Sequence, residues 1–320
     1  MGKNVVIVMA IYNPNMDWLN AQLCSIEEQE YAEVEVVAIN DASNEVSQDE
    51  IEDAFRRNLI KTRYKLFKNE KNLGSNKTFE LLTGIAEDYE YISYCDQDDI
   101  WHPQKTAELV TALERPGVTL AYSDLSVIDA QGRHIADSLS DLRRRLRFLE
   151  GAGLAGGLLF RNFTNGTAMM TRLGTAKKAM PFAKDMTADH WLTLWCALCG
   201  EIAFIPRPLV KYRIHGSNQS AVMAGVVDKQ SYFDKRIMTG LSRFEQFRER
   251  KESFEENVDL IDEGLHWFYA RKEWFLNAKR PSDVWKYRHL GKHVSLFELV
   301  FARLPNFLFM LGVQLVKHGI

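Results

Sequence analysis

Over the first 125 residues, apolar runs of strand length alternate with segments of helical period, and each run stops at a polar cluster. That alternation restricts the chain to folds built from βαβ units around a mostly parallel sheet. Val5 to Ala10 is apolar without interruption, as a central strand covered on both faces must be. Val34 to Ile39 reads as a second buried strand, Tyr64 to Phe67 as a weaker third and Tyr91 to Cys95 as a fourth. Between them, Asn15 or Asp17 can cap a helix carrying Leu19, Leu23 and Ile26 at helical spacing. Asn72-Leu73-Gly74-Ser75 turns into a helix reaching about Ala86, and Pro103 is placed to open another, as first-turn proline, that runs to about Leu113.

Further along, Val118 to Ile135 is strand-like with a turn at Gly132, followed by a basic helix and a glycine-rich loop to Gly157. Phe163 to Tyr212 reads as strand, helix, strand. Beyond about Ala221 the chain turns to helix formers and charges with scattered aromatics. Two regions follow, 1–220 and a helical 221–320, in keeping with 320 residues at roughly 150 per domain. A chain of this size buries enough surface to need neither disulfides nor a structural metal. Four cysteines are too few for a secreted disulfide framework and favour a reducing compartment. Cys196 and Cys199 lie in a helix-like run where both are expected to face the core. The first ten residues, with a single lysine, are too short for a signal peptide and read as a strand. Forty basic against 43 acidic residues leave a charge of −3, which gives no reason to expect nucleic acid.

Polar residues gather just past the strand ends, the edge at which open α/β sheets bind ligands. Asp96-Gln97-Asp98-Asp99 places three carboxylates in four residues, and they repel one another unless a cation or a hydrogen-bond network compensates. Carboxylates suit Mg²⁺ or Mn²⁺, which bind one or two of them together with substrate phosphates. In an extended segment Asp96 and Asp98 point to the same side. A solvated acidic turn capping the next helix is the alternative.

Six separated segments then stand in a recognisable order. They are Ala10-Ile11-Tyr12-Asn13, Asn40-Asp41-Ala42-Ser43, Asn72-Leu73-Gly74, Cys95 to Trp101, Ala188-Asp189-His190-Trp191 and Tyr212 to Gln219. Together, over residues 4–220, they resemble family 2 glycosyltransferases of the GT-A fold, most of all the bacterial rhamnosyltransferase-like branch. The resemblance implies a Rossmann-like, mostly parallel sheet flanked by helices, with a helical C-terminal region. It implies a donor-binding set of Ala10, Tyr12, Asp41, Asn72, Asp96, Gly166 and Arg213, with Tyr12 and Asp41 on the nucleotide base and Asp96 near the ribose or sugar. Asp98 would hold the metal bridging the diphosphate, His215 would reach metal or phosphate, and Asp189 matches the catalytic base. Two positions depart from the pattern: Asn40 precedes Asp41 where Asp-Asp is frequent, and Ala188 stands where a His often precedes the base.

The chemistry agrees with these roles. Direct displacement at an anomeric carbon needs a base for the acceptor hydroxyl, and a carboxylate within hydrogen-bond reach supplies one. An N-cap is the structural alternative for Asp189. The leaving diphosphate needs positive charge beside it, and Arg213 and His215, two residues apart after a strand, can share a face. Asn165-Gly166-Thr167 offers a close backbone approach for a sugar. Arg143-Arg144-Arg145 and Arg147 form a basic cluster, either a solvated helix face or a mobile arm for a diphosphate. From about Asp283 the tail interleaves Lys, Arg and aromatics ahead of an apolar run. That run, Leu304 to Val316 between charges, is too short to span a bilayer.

The resulting expectation is a metal-dependent inverting enzyme that uses a dTDP- or UDP-linked sugar, rhamnose first, and a lipid-linked or polysaccharide acceptor. It would work in the cytoplasm, held to the anionic inner-membrane surface by an in-plane tail, with packing or homodimerisation as other uses of the tail. A UDP-hexose donor and a catalytically silent nucleotide-sugar scaffold are the rivals. An NAD-dependent dehydrogenase is disfavoured because the first turn carries no G-x-G-x-x-G.

Overall fold

Every side chain from Val5 to Met9 is withdrawn completely from solvent, and this strand, β1 (Val5–Ile11), is the axis of the sheet. The computed structural model describes residues 4–143, 146–216 and 225–317. β2 (Val34–Asn40) and β4 (Tyr91–Cys95) flank β1 in parallel, and β3 (Arg63–Lys68) extends the sheet beyond β2. Three helices make the crossovers: α1 (Met16–Glu27), α2 (Gln48–Asn58) and α3 (Ser75–Ile85). The side chain of Asn15 accepts from the amides of Asp17 and Trp18, so Asn15 is the cap of α1. Ser47 and Glu50 form a capping box on α2. Leu19, Leu23 and Ile26 of α1 join Ile51, Ala54 and Phe55 of α2 over one face of the sheet. Each such side chain contributes roughly 2 kcal/mol by leaving water.

Past β4 the sheet becomes mixed. Its order is β3-β2-β1-β4-β8-β6-β9-β5, with β7 paired to β6. β6 (Val118–Ile128) and β9 (Glu201–Arg213) are long parallel neighbours. β8 (Met169–Arg172) lies antiparallel between β4 and β6, and β7 (His134–Ala136) returns along β6 after the turn at Gly132. The short β5 (Ile100–Trp101) pairs antiparallel with the far end of β9, Ile100 opposite Lys211. This last pairing brings the acidic turn after β4 beside the end of β9.

Three local expectations are corrected. The helix expected from Pro103 begins at Lys105 (α4, Lys105–Leu113), because the His102 amide still bonds to the Leu209 carbonyl and prolongs the β5 ladder. Arg143 and Arg147 do not lie on a basic helix: a single turn, Leu139–Leu142, ends at Arg143. Leu149 is then held by the Tyr122 hydroxyl at both its amide and its carbonyl. Arg144 and Arg145 lie outside the described residues. In the helix Ala188–Cys199, Cys196 is buried and Cys199 is exposed, so only one of the pair faces the core.

The chain divides into two compact units, Met1–Phe182 with Thr187–His215, and Ala183–Met186 with Gly216–Ile320. The second is helical, with Val226, Tyr232, Phe233, Ile237, Phe309 and Val313 at its centre. Its longest helix, Val258–Asn277, carries Arg271, whose guanidinium makes a bidentate pair with Glu298 at 2.8 and 2.7 Å, both groups buried. The loop 183–186 belongs to this unit through bonds to the helix Thr239–Glu249. Ser242 donates to the Asp185 carboxylate, Arg243 to its carbonyl, and Gln246 bonds both the amide and the carbonyl of Lys184. Among the described residues no helix is long and apolar enough to cross a membrane.

Gly200 sits where the helix Ala188–Cys199 passes into β9, and a Cβ there would lie 2.5 Å from the Gly117 carbonyl oxygen and 2.7 Å from Thr119 Cγ2. A backbone atom cannot yield as a flexible side chain does. Gly200→Ala should therefore lower stability by about 2 kcal/mol or more, read as the urea midpoint of the full chain.

Candidate active site

Register decides which side chains meet. Ile11 is opposite Asn40 and Met9 opposite Cys95, so Tyr12, Asp41 and Asp96 follow the ends of three adjacent parallel strands. Gln97 locks two of these ends together, accepting from the Tyr12 amide at 2.9 Å and donating to its carbonyl at 3.0 Å. The Tyr12 ring remains 43% exposed above the edge. Ala10 lies in β1 opposite Ile39. Asp41 is buried and its carboxylate accepts from Asn69 Nδ2 (2.7 Å) and from the amides of Leu73 (2.9 Å) and Gly74 (2.8 Å). It thereby shapes the turn that carries the exposed Asn72, where Gly74 supplies a φ of 81°.

The acidic turn is braced from β9. Asp99 is fully buried and accepts the Arg213 amide at 2.9 Å on Oδ1, with the Thr167 side chain also acting to favour its ionised form. Burial, then the carboxylates of Asp98 and Asp96, push the Asp99 carboxyl well above its ordinary value. Arg213 donates through Nε to the Asp98 carbonyl (2.8 Å) and through its terminal nitrogen to the Asp129 carbonyl (3.2 Å). Its guanidinium stands 5.2 Å from the Trp18 ring centre. Only 4% exposed, Arg213 is therefore a brace of the turn, not a cation held open toward a diphosphate as its spacing led us to expect. His215 Nε2 meets Asp98 Oδ2 at 2.8 Å, its ring 4.9 Å from that of Trp18.

A divalent cation fits this pair. Neighbouring ligands of one octahedral ion with bonds of about 2.1 Å lie about 3 Å apart, close to the 2.8 Å between the Asp98 oxygen and the His215 nitrogen. Among the described residues no group of three or more His, Cys, Asp or Glu is arranged to hold an ion. The other positions would fall to water and phosphate oxygens, as is usual for Mg²⁺.

Asp189 lies close enough to Asp96 for its charge to act on that carboxyl. It lies in the first turn of the helix Ala188–Cys199, whose N-cap is Thr187, so the carboxylate is not the cap. Asn162 Nδ2 donates to its Oδ2 at 2.9 Å, and Asn76 Oδ1 accepts the Ala188 amide at 2.7 Å. A Cβ on Gly166 would lie 3.5 Å from Asp189 Cβ, which places Gly166 beside it. Desolvation raises the Asp189 carboxyl above its usual value while the bonds from Thr187, His190 and Asn162 lower it. Asp96 is pushed up to about 7 by desolvation and then by Asp98 and Asp189, so three of the expected residues share one electrostatic site. Below it, Lys105 is fully buried, its Nζ 3.1 Å from Ser93 Oγ and 3.1 Å from the Trp101 ring centre. Desolvation lowers its amine to about 7. Sequence reasoning missed Asn162, Gln97 and the bracing role of Asp99; the apolar Ile100-Trp101 after Asp99 was the one signal available.

Comparison with known proteins decides the family: a profile of glycosyl transferase family 2 matches residues 6–172. The chain belongs to glycosyltransferase family 2. An uncharacterised glycosyltransferase of Haemophilus influenzae is 26% identical over 225 residues, 68% of each chain. Another from Nostoc is 23% identical over 230 residues, 71% of this chain and 69% of that one. Among solved structures, S. aureus TarS 1–349 with UDP-GlcNAc superposes with a TM-score of 0.60 at 14% identity, over 98% of this chain and 90% of that chain. The mannosyltransferase PcManGT of Pyrobaculum calidifontis, with GDP-Man and Mn²⁺, gives 0.54 at 14%, over 99% and 86%. At such identities the likeness establishes the GT-A fold. The family makes the chain an enzyme, a glycosyltransferase.

Two outcomes follow. Arg213→Met takes the guanidinium donor from the Asp98 carbonyl, while the Asp129 carbonyl keeps the Gly132 amide, and should cost about 1–2 kcal/mol in urea unfolding. Asn162 favours the ionised Asp189, so Asn162→Ala should raise the pKa of that carboxyl by about one unit, read from its titration in the full chain.

Proposed function

We propose that this enzyme transfers a sugar with inversion from a nucleotide donor to a hydroxyl of a lipid-linked or polysaccharide acceptor in bacterial surface glycan synthesis, at the cytoplasmic face of the inner membrane. dTDP-rhamnose is the first donor to test and a UDP-hexose the second. The observation that supports this reading is that Asp96 is close enough to both Asp98 and Asp189 for its pKa to respond to each, with His215 paired to Asp98.

In this reading the base packs near Tyr12 at the end of β1, beside the turn that Asp41 organises. Asp96 faces the ribose or sugar. Asp98 and His215 would hold Mg²⁺ or Mn²⁺, which when bound neutralises the charge of the departing diphosphate. Asp189, kept in place by Asn162, accepts the proton of the acceptor hydroxyl as its oxygen bonds the anomeric carbon and the bond to the diphosphate breaks. Gly166 leaves room beside Asp189, where a side chain would intrude on the acceptor. The partial desolvation that raises the Asp189 carboxyl also makes it a better proton acceptor than an ordinary surface aspartate.

Nucleotide sugars with dTDP, UDP and GDP are compared first, by thermal shift with and without Mn²⁺, and the stabilising donor is carried into transfer assays. Asp189→Asn should reduce kcat by a thousandfold or more, on the order of 4 kcal/mol, while donor affinity stays within a few fold. Asp98→Ala should abolish both transfer and the Mn²⁺-dependent part of donor binding. An Asp189→Asn enzyme with normal turnover, or an Asp98→Ala enzyme with an unchanged metal response, refutes the assignment.

A further inference from the structure

The last two helices of the second unit, Lys292–Phe301 and Asn306–Lys317, divide their apolar residues between two faces. Inward, Phe297, Phe301, Phe309 and Val313 pack around Tyr232 and Ile237. They pack so closely that a Cβ on Gly312 would lie 2.7 Å from the Phe301 ring. Outward, Phe307, Leu311 and Leu315 follow one another at helical spacing and are 71%, 60% and 42% exposed, while Val300 on the preceding helix is 60% exposed. Side chains of this size are ordinarily covered, and a stripe of them on one helix is unlike the scattered exposure of a normal surface.

Charge identifies what covers them. From Val284 to Lys317 the sequence holds five Lys or Arg, namely Lys286, Arg288, Lys292, Arg303 and Lys317, against one carboxylate, Glu298. That carboxylate is wholly buried and neutralised by Arg271, with the Tyr232 hydroxyl donating to it. The segment therefore presents no acidic group to its surroundings, and Trp285, 50% exposed under the Arg288 guanidinium, adds an interfacial aromatic. A protein partner with a plain apolar patch would not need this one-sided charge; an anionic bilayer needs both the apolar stripe and the basic flank.

We infer that Phe307, Leu311 and Leu315, preceded in the sequence by the basic Lys286, Arg288 and Lys292, dock on an anionic lipid surface and lie in its plane. The inference deepens the membrane location given above and names the face responsible, but it does not depend on which sugar is transferred or on the reaction itself. The full chain is sedimented with phosphatidylcholine vesicles and with mixed phosphatidylcholine–phosphatidylglycerol vesicles, at low and high salt. Binding is expected to the mixed vesicles only, and to weaken as salt rises. Phe307→Ser with Leu311→Ser should weaken partition by at least about thirtyfold. Lys286→Gln with Arg288→Gln and Lys292→Gln should weaken it by about a hundredfold at low salt, roughly fivefold for each charge. Both variants should keep the melting temperature and nucleotide-sugar turnover of the parent, so that lost sedimentation is not lost folding. Absence of binding to mixed vesicles overturns the inference, as does equal binding of parent and variants. A dimer seen by light scattering that Phe307→Ser with Leu311→Ser dissolves, without vesicle binding by the parent, assigns the face to a second copy instead. Loss of transfer with vesicle binding intact would count against the catalytic reading alone.

Discussion

Three carboxylates crowded at the end of one strand are the constraint around which the catalytic unit is built. Left to itself, the turn from Asp96 to Asp99 would open toward water to relieve its own repulsion. It is held closed from β9, where the Arg213 amide binds Asp99, the guanidinium binds two backbone carbonyls, and His215 binds Asp98. The short β5 ladder makes that possible by bringing the two segments together. Crowding left in place is what would draw a cation to the turn in the proposed reading, so its repulsion and that binding would have the same origin. Trp18, near the start of α1, lies against both His215 and Arg213, 4.9 Å from the imidazole and 5.2 Å from the guanidinium.

The surroundings of Asp189 are built on a different principle. Asp189 is presented by a helix whose end is satisfied by others: Asn76 takes the Ala188 amide, Thr193 bonds the Asp189 carbonyl at 2.7 Å, and His190 meets the Leu158 carbonyl at 2.6 Å. The carboxylate itself is held by Asn162, together with bonds from Thr187 and His190 that favour its ionised form against the desolvation that opposes it.

Much of this could be read along the chain because the N-terminal half repeats one device, an apolar strand ending in polar residues. The strands, the cap at Asn15, the turn at Gly74 and the edge occupied by Tyr12, Asp41 and Asp96 all follow from local pattern. What depended on pairing between distant segments did not. β5 is two residues long and carries no periodicity, and without it the helix after Pro103 was drawn too early. Arg213 looked like a free cation because its spacing from His215 is local, whereas its burial is set by Trp18, Asp98 and Asp129. Asn162 is 27 residues from the aspartate it orients, and no spacing rule connects them. The outward stripe on the last helix was equally hidden, since an apolar run does not say which of its faces is covered.

The brace has an implication for timing. Asp98 and His215 are separated by 117 residues, and a ribosome extends a chain at roughly 5–20 residues per second. The acidic turn is therefore synthesised roughly 6–23 s before the groups that close it. The region matched by the family profile, residues 6–172, ends before Asp189, Arg213 and His215 have been made. A nascent chain that has finished β1 to β4 still lacks the groups that close the acidic turn, so the turn becomes organised only once β9 has taken its place in the sheet.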